Sequence, residues 1–523
     1  MLSVDGVSRY ARPALGALAA AVVWSVAAGR PVRGAADVPV PTVTGPIAAV
    51  VPGDPSHDYP FYAAIGDLKS RGYVEEEFFI EGTANRYNTP AQADGSIIDG
   101  NHPYKTRIVV RRPTAAARFN GTAVIEWNNV TAGHDLDIDW FQTHDYLMQN
   151  GYAWVGVTPQ RIGVEALKVW NAKRYGTLDV THGGTVEGDA LSYDIFAQAA
   201  QAVRKPGRVN VMGGLRVERM FATGHSQSAS RLATYVNAVH PLAPVFEAVV
   251  VHGGGGRIRT DLGNVKVWKL LSETDVLGSQ AATRQPDTNN FRSWEVAGTS
   301  HVDWPFTSYS RQLSQRDGSP VAPGFTPGGG RGAAPAAGAG AGRAARGATT
   351  APATQTSSTT GTSATSPANT LSNTPANTSG CERPPYSRVP FYYVMDAAFD
   401  HLQHWVKEGK LPPSAPPIDT SSAGPPAAVT RDPAGNALGG IRLSQHAVPT
   451  AVNTGQNGGA GFCRLYGSSE PFDAATLARL YPTHAGYVAA VKEITEKNLK
   501  AGYILKNDAD ATIAEAEKAA IGR

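Results

Sequence analysis

Seven short apolar runs alternate with helical patterns between residues 41 and 310 of this 523-residue chain. The runs are rich in β-branched residues and poor in charge, which is typical of strands buried on both faces of a sheet. Helical patterns between them cover Trp140–Gln149, Tyr193–Arg204 and Ser226–Val239. This alternation predicts an α/β fold with a mostly parallel central sheet flanked by helices. The predicted strands are Arg107–Val110, Ala123–Trp127, Ala153–Val157, Met220–Thr223, Ala248–His252, Val265–Leu271 and Phe291–Val296.

The first 36 residues have the pattern of a secretory signal peptide. Arg9 and Arg12 precede the apolar run Pro13–Ala28, and small residues follow it. The run is shorter than the roughly 20 residues that span a bilayer. We therefore expect cleavage after Ala28 or Ala36, export to the periplasm or the extracellular space, and no stable membrane insertion afterwards. A retained membrane anchor is the alternative.

Composition divides the remainder of the chain. Residues 37–317 carry the alternating pattern, whereas residues 318–380 are rich in Gly, Ala, Ser and Thr and hold almost no large apolar side chains. Such a segment cannot offset the entropy of ordering, so it is predicted to be a disordered insert. Order is predicted to return in residues 381–418, where Phe391–Gly409 has helical spacing, and to continue through a C-terminal region, residues 419–523.

Charge and cysteine content exclude several classes of protein. The net charge is only +3, which gives no support for nucleic-acid binding. The two cysteines, Cys381 and Cys463, are too few for a disulfide scaffold or a four-thiolate zinc site. They can form one disulfide in an oxidising compartment. The sequence does not define an oligomeric state.

The segment Met220–Asn237 carries the clearest chemical pattern. A short apolar strand runs into Gly224–Ala229, which reads GHSQSA, and then into an amphipathic helix. A strand, a sharp turn and a helix are the setting of a nucleophile elbow, which predicts Ser226 as a nucleophile. The common motif ends in Gly, where this chain has Ser228. An ordinary N-cap serine is the alternative for Ser226.

Candidate partners of Ser226 follow it in the order acid, then histidine. Asp275 comes just after the predicted strand Val265–Leu271, and His301 follows the strand Phe291–Val296. Carboxyl ends of parallel strands share one edge of a sheet, so these side chains are expected to meet there. Glu273 is the alternative acid, and Asp275 is preferred because it lies further into the loop. The alternatives are a solvated loop carboxylate and a structural turn histidine, but three candidates in the expected order favour the catalytic interpretation.

An oxyanion hole requires two backbone donors near the nucleophile. The N–H of Gln227, directly after Ser226, is the first expected donor. The second is expected from Asn128 or Asn129, which follow the predicted strand Ala123–Trp127.

Three aspartates, Asp135, Asp137 and Asp139, form a ladder that could suggest a calcium loop. A calcium loop requires Gly at its sixth position and Glu at its twelfth, where this chain has Trp140 and Tyr146. N-capping and first-turn dipole contacts of the next helix are the preferred interpretation, and no metal site is predicted.

Glycines and tryptophans also cluster near the predicted site. Gly253–Gly256 follow a predicted strand and are expected to form a tight crossover beside the site. The other group comprises Trp127, Trp140, Trp294 and Trp304. These tryptophans are expected either to line an apolar or aromatic pocket or to pack in the core.

Together these motifs resemble the α/β-hydrolase superfamily and, more narrowly, the bacterial exported "alpha/beta hydrolase domain-containing" proteins. The resemblance implies a Ser-His-acid hydrolase of small-molecule carboxylic esters, with Ser226, His301 and either Asp275 or Glu273, and with no metal or organic cofactor. The segments that carry it are Ala123–Asn129, Leu191–Ile195, Gly224–Ala229, Tyr235–Pro241, Glu273–Val276, Arg284–Asp287, Trp294–His301 and Gly439–Arg442.

The resemblance also implies how the later segments are arranged. In this fold a helix follows the histidine loop and packs on the sheet, a role that Phe391–Gly409 fits. Residues 318–380 are then an insert within the fold, and residues 419–523 pack on the core with Cys381–Cys463 as a staple.

Two other functions remain open at this stage. The same triad would serve a peptidase or a hydrolase of sugar esters, polyesters or tannins. Because Ser228 replaces the last Gly of the common motif, a hydrolase-like protein that binds a ligand without catalysis is the other alternative.

Overall fold

The computed structural model describes residues 37–325 and 380–523. The predicted signal peptide, residues 1–36, and residues 326–379 of the predicted insert lie outside the described residues. The first residues of that insert pack against the protein, contrary to the prediction of disorder. Ala322 is buried, and its N–H donates to the carbonyl oxygen of Gly133 at 3.1 Å.

Nine strands form one sheet in the order β1-β2-β3-β5-β4-β6-β7-β8-β9. Strands β4 to β9 are parallel, and β1 to β3 extend the sheet in antiparallel fashion beyond β5. The predicted α/β fold with a mostly parallel sheet is therefore confirmed. The strands are β1 Thr42–Thr44, β2 Tyr73–Asn88, β3 Ser96–Pro113, β4 Thr122–Trp127, β5 Ala153–Val157, β6 Arg219–His225, β7 Ala248–His252, β8 Lys266–Ser272 and β9 Phe291–Val296.

All seven predicted strands are present, but one of them is much longer than predicted. Arg107–Val110 belongs to β3, an 18-residue strand that pairs with the 16-residue β2. The sequence pattern did not reveal β2, because Glu75 and Glu77 interrupt its apolar alternation. Both carboxylates form ion pairs with buried arginines, so they lie inside the protein rather than in a loop.

Helices cover both faces of the sheet. The chain reverses direction across the sheet at β5. Because crossovers between parallel strands are almost always right-handed, α1 is expected on one face and α4 and α5 on the other. Helix α8 packs against both α1 and β8. Within the described ranges no helix is both long and apolar enough to cross a bilayer. The helices up to this point are α1 Ile138–Gln149, α2 Arg161–Trp170, α3 Ala172–Tyr175, α4 Ser192–Arg204, α5 Gln227–Thr234, α6 Glu273–Asp275, α7 Trp304–Asp317 and α8 Phe391–Glu408.

Helices α2 and α7 were not predicted. Helix α7 begins three residues after His301, so the helix that directly follows the histidine loop precedes the insert. Helix α8, which was expected in that role, comes after the insert and still packs on the sheet.

The C-terminal region contacts the carboxyl edge of the sheet. Ile441 forms a β-bridge with Val296 at the end of β9, and the hydroxyl of Thr274 donates to the carbonyl oxygen of Gly455 at 2.7 Å. The region contains β10 Thr420–Ser422, β11 Ala428–Val429, α9 Ser444–Ala447, β12 Ala451–Thr454, α10 Cys463–Tyr466, β13 Ser468–Pro471, α11 Ala474–Leu480, α12 His484–Ala501 and α13 Lys506–Lys518.

The predicted disulfide between Cys381 and Cys463 is present. It joins the segment that precedes α8 to the C-terminal region across a sequence separation of 82 residues.

The double substitution Cys381→Ser with Cys463→Ser removes the disulfide and is expected to lower the free energy of unfolding by about 4 kcal/mol. The reason is that the unfolded chain, no longer closed into a long loop, gains conformational entropy. Thermal melts of the wild type with and without reductant, beside the double variant, measure this. A melting temperature that neither change lowers would contradict it.

Candidate active site

Ser226 occupies a strained turn between β6 and α5. Its backbone has φ 62° and ψ −114°, a conformation that residues other than Gly rarely adopt. Its side chain makes no capping bond to α5, so the N-cap interpretation is wrong. A Cβ atom at Gly224 would lie 3.0 Å from the Cβ of Ser228. The first glycine of the motif therefore makes room for the serine that replaces the second.

His301 lies between Ser226 and an acidic residue. Its Nε2 is 2.8 Å from the Oγ of Ser226, and its Nδ1 is 2.6 Å from an Oδ of Asp275. His301 and Asp275 are buried, whereas Ser226 is partly exposed and open to solvent. The structure thus brings together the three residues that the sequence singled out.

Asp275, and not Glu273, is the acid that faces the imidazole. The second carboxylate oxygen of Asp275 accepts from the N–H and the hydroxyl of Ser272, each at 2.7 Å. Burial raises the pKa of Asp275, but the nearby His301 and the hydrogen bonds from His301 and Ser272 bring the pKa below its ordinary value. Glu273 instead pairs with Arg431 at 2.6 Å and accepts from the N–H of Gly298, so the alternative is wrong.

Two further imidazoles pack behind His301. The ring of His225 lies 4.3 Å from that of His301 and 4.4 Å from that of His252, centroid to centroid. Burial, together with the two neighbouring imidazoles, holds the pKa of His225 well below its usual range, so this ring stays neutral. Gly253 has φ +66°, and a Cβ there would lie 2.9 Å from His225. The predicted tight crossover beside the site is present.

The aspartate ladder does not cap α1. Asp137 occupies the N-cap position, but its side chain makes no capping bond. Within residues 37–325 and 380–523, no group of three or more His, Cys, Asp or Glu side chains could hold a metal ion. The three carboxylates bind separate buried partners: Asp135 pairs with Arg107 at 3.1 Å, Asp137 with Arg111 at 2.9 Å, and Asp139 with His252 at 2.6 Å.

One of the predicted oxyanion donors remains available, and two do not. Gln227 is the first residue of α5, and its N–H has no acceptor among the described residues. The N–H of Asn128 donates to Val157 at 3.1 Å, and that of Asn129 donates to Leu136 at 3.0 Å. The prediction for Asn128 and Asn129 is therefore wrong, because both N–H groups already have backbone acceptors. The next N–H, that of Val130, has no acceptor in the described part of the chain.

The four tryptophans near the site divide into two groups. Trp127, Trp140 and Trp294 are at most 1% exposed and pack in the core. Trp304, at the start of α7, is partly exposed.

Asp303 links the histidine loop to α7. Its carboxylate accepts from the N–H of Phe306 at 3.0 Å, as an N-cap, and from the amide of Gln142 at 3.2 Å. Burial raises the pKa of Asp303 to about 6. The sequence did not single out Asp303, although its position directly before a helix is typical of a cap.

Comparison with protein families finds a match over most of the chain. A family described as "Alpha/beta hydrolase domain" matches residues 43–514. A search of curated proteins finds no match.

Solved structures give only distant similarity. A member of the α/β serine hydrolases from Xanthomonas campestris, described as lacking a lid, is 13% identical, with 45% of this chain and 91% of that chain covered and a TM-score of 0.25. A glucuronoyl esterase from Teredinibacter turnerae is 10% identical, with 53% and 78% covered and a TM-score of 0.27. With TM-scores this low, the family match and the site geometry carry the functional interpretation.

Replacing Asp303 by Asn is expected to change how stability depends on pH. The raised pKa means that the folded state binds the Asp303 proton more tightly than the unfolded state, so this stabilisation is complete below about pH 4 and is lost as the pH rises through about 6. Relative to Asp303→Asn, the wild type should lose about 3 kcal/mol of unfolding free energy between about pH 4 and pH 8. Denaturant titrations across this range measure the difference, and parallel profiles would refute it.

Proposed function

The chain belongs to the alpha/beta hydrolase domain family, and we propose that it is an exported serine hydrolase that cleaves carboxylic esters through an acyl-enzyme. The observation that carries the proposal is the pair of contacts made by His301, 2.8 Å to Ser226 and 2.6 Å to Asp275. A buried imidazole bonded to both a carboxylate and a partly exposed hydroxyl is arranged to remove the proton of that hydroxyl.

Acylation follows from this arrangement. The Oγ of Ser226 attacks the ester carbonyl carbon while its proton passes to the Nε2 of His301. Asp275 accepts the Nδ1–H and stabilises the imidazolium, because its lowered pKa keeps it ionised. The carbon–oxygen bond to the alcohol then breaks, and the alcohol takes the proton from His301. The acyl group remains on Ser226.

Deacylation repeats these steps with water. His301 takes a proton from water, the resulting hydroxide adds to the acyl carbon, and Ser226 leaves with the proton. In both steps negative charge develops on the carbonyl oxygen. The N–H of Gln227, at the N-terminus of α5, is the donor proposed for it, with the N–H of Val130 as the second.

The imidazole packing supports the same roles. When His301 becomes protonated, a charged neighbour would repel it, and His225 stays neutral because of its lowered pKa. The ring of His252 is fixed by Asp139 at 2.6 Å. His225 therefore gives the imidazole of His301 a neutral neighbour, and the contact between His252 and Asp139 holds the ring behind His225 in place.

Export is part of the proposal and rests on two features. The first 36 residues have the composition of a signal peptide. The Cys381–Cys463 disulfide is typical of proteins in oxidising compartments. We also propose that the low-complexity segment, residues 318–380, is an insert between the histidine loop and the last core helix.

Replacing Ser226 by Ala is expected to reduce kcat/KM for 4-nitrophenyl butyrate by about a thousandfold or more, because no nucleophile remains to form the acyl-enzyme. Release of 4-nitrophenol measures the rate. Ser230→Ala is the matched control, since Ser230 is an exposed serine on the same helix. Equal turnover by wild type and Ser226→Ala would favour a protein that binds without catalysis.

Asp275→Asn is expected to lower kcat by about 10⁴-fold, because an amide no longer favours the required tautomer and charge of His301. Glu273→Gln should retain kcat within about tenfold while losing thermal stability, since Glu273 pairs with Arg431 rather than with the imidazole. Steady-state kinetics and melting curves of both variants separate the two roles. A larger kcat loss in Glu273→Gln than in Asp275→Asn would mean that Glu273, and not Asp275, is the acid of the triad.

A further inference from the structure

Arg388 differs from the other arginines that are shielded from solvent. Every other arginine in residues 37–325 and 380–523 that is buried or only partly exposed has a carboxylate oxygen within 4.0 Å. Arg388 is half-buried, and among the described residues its guanidinium has neither an ion pair nor a hydrogen bond. Burial lowers its pKa. A half-buried guanidinium without a partner in the protein leaves its N–H groups available to a ligand.

The guanidinium of Arg388 lies over an aromatic ring. Its central carbon is 3.9 Å from the ring centroid of Trp304. Stacking of this kind engages the face of the guanidinium and leaves its N–H groups free at the edge. Those N–H groups match the two oxygens of a carboxylate.

This pair is attached to the histidine loop. Trp304 lies three residues after His301, and its N–H donates to the carbonyl oxygen of Ser387 at 3.4 Å. The N–H of Ser387 donates in turn to the hydroxyl of Ser300 at 3.4 Å. Ser387, the residue before Arg388, is thus bonded to residues on both sides of His301. The backbone at Arg388 therefore runs next to the histidine loop, and its side chain packs on Trp304, the first residue of the helix after that loop.

Two tyrosines extend the aromatic surface. The ring of Tyr386 lies 6.3 Å from that of Trp304 and 4.7 Å from that of Tyr466, centroid to centroid. All three rings are partly exposed. Tyr386 has φ +73°, which is strained for a residue with a side chain, and such strain is concentrated at functional positions. A row of partly exposed aromatic side chains next to an unpaired cation is suited to bind a ligand whose apolar ring or chain carries an anionic group.

We propose that Arg388, stacked on Trp304, binds a carboxylate carried by the ester substrate, so that the enzyme prefers half-esters of dicarboxylic acids or esters of carboxylated alcohols. This inference rests on the proposed ester hydrolysis and names its substrate class. Arg388 touches the substrate at a distance from the reacting carbonyl and determines specificity rather than chemistry.

Two matched substrate pairs test the preference. Mono-4-nitrophenyl succinate against 4-nitrophenyl butyrate places the carboxylate on the acyl side. In the other pair, 4-acetoxybenzoate against its methyl ester, the carboxylate lies on the alcohol side. For Arg388→Gln, the ratio of kcat/KM for the anionic to the neutral ester should fall by about tenfold or more in at least one pair, through KM rather than kcat.

Arg383→Gln is the control for this test. Arg383 lies in the same segment but is exposed and already pairs with Glu470 at 3.7 Å, so its removal should leave both ratios unchanged. Arg388→Lys keeps the charge but loses the planar fork, and it should restore the preference only in part. Unchanged ratios in Arg388→Gln, or an equal loss for the anionic and neutral esters, would overturn the proposal.

Binding to the Ser226→Ala variant separates this proposal from the catalytic one. Calorimetry measures this binding. In the substrate pair whose kcat/KM ratio falls in Arg388→Gln, the anionic ester should bind Ser226→Ala more tightly than the neutral ester. Adding Arg388→Gln to Ser226→Ala should abolish that difference. If the wild type hydrolyses no ester but this selective binding persists, ester hydrolysis fails and the carboxylate site stands. If hydrolysis is present without selective binding, the carboxylate site fails alone.

Discussion

The imidazole of His301 uses both of its nitrogens inside the protein, and the site is built around that fact. Ser226 and Asp275 reach it from loops after β6 and β8, and His301 itself follows β9. Because parallel strands end at one edge of the sheet, three loops separated by many residues meet there. The strained backbone of Ser226 then directs its hydroxyl towards the ring rather than into the helix that follows.

Residues after the insert hold the histidine loop in place. The hydroxyl of Ser387 donates to the carbonyl oxygen of Gly298 at 2.5 Å, and the N–H of Val302 donates to Leu465 at 2.9 Å. The disulfide joins the two segments that make these contacts. The segment before α8 and the C-terminal region therefore do more than cover the sheet, because together they fix the loop that carries the imidazole.

Much of this arrangement was readable from the sequence, because local patterns determine it. The strand, turn and helix around Ser226 and the position of His301 after a strand are local features. What the sequence could not reveal depends on distant partners. Glu273 is occupied by Arg431, which lies 158 residues away, and the N–H of Asn129 is engaged by Leu136 in a loop whose path no periodicity predicts. The long hairpin partner of β3 was hidden because its acidic residues resemble a loop until their buried arginines are known.

The central claim is that the hydroxyl at position 226 is activated by the imidazole beside it. Labelling the intact protein with a fluorophosphonate and locating the adduct by peptide mass spectrometry tests this most directly, because such probes react with serines whose proton is removed by a neighbouring base. One adduct is expected, on Ser226, and it should be lost when His301 is replaced by Ala. An unlabelled Ser226, or labelling that does not depend on His301, would contradict it.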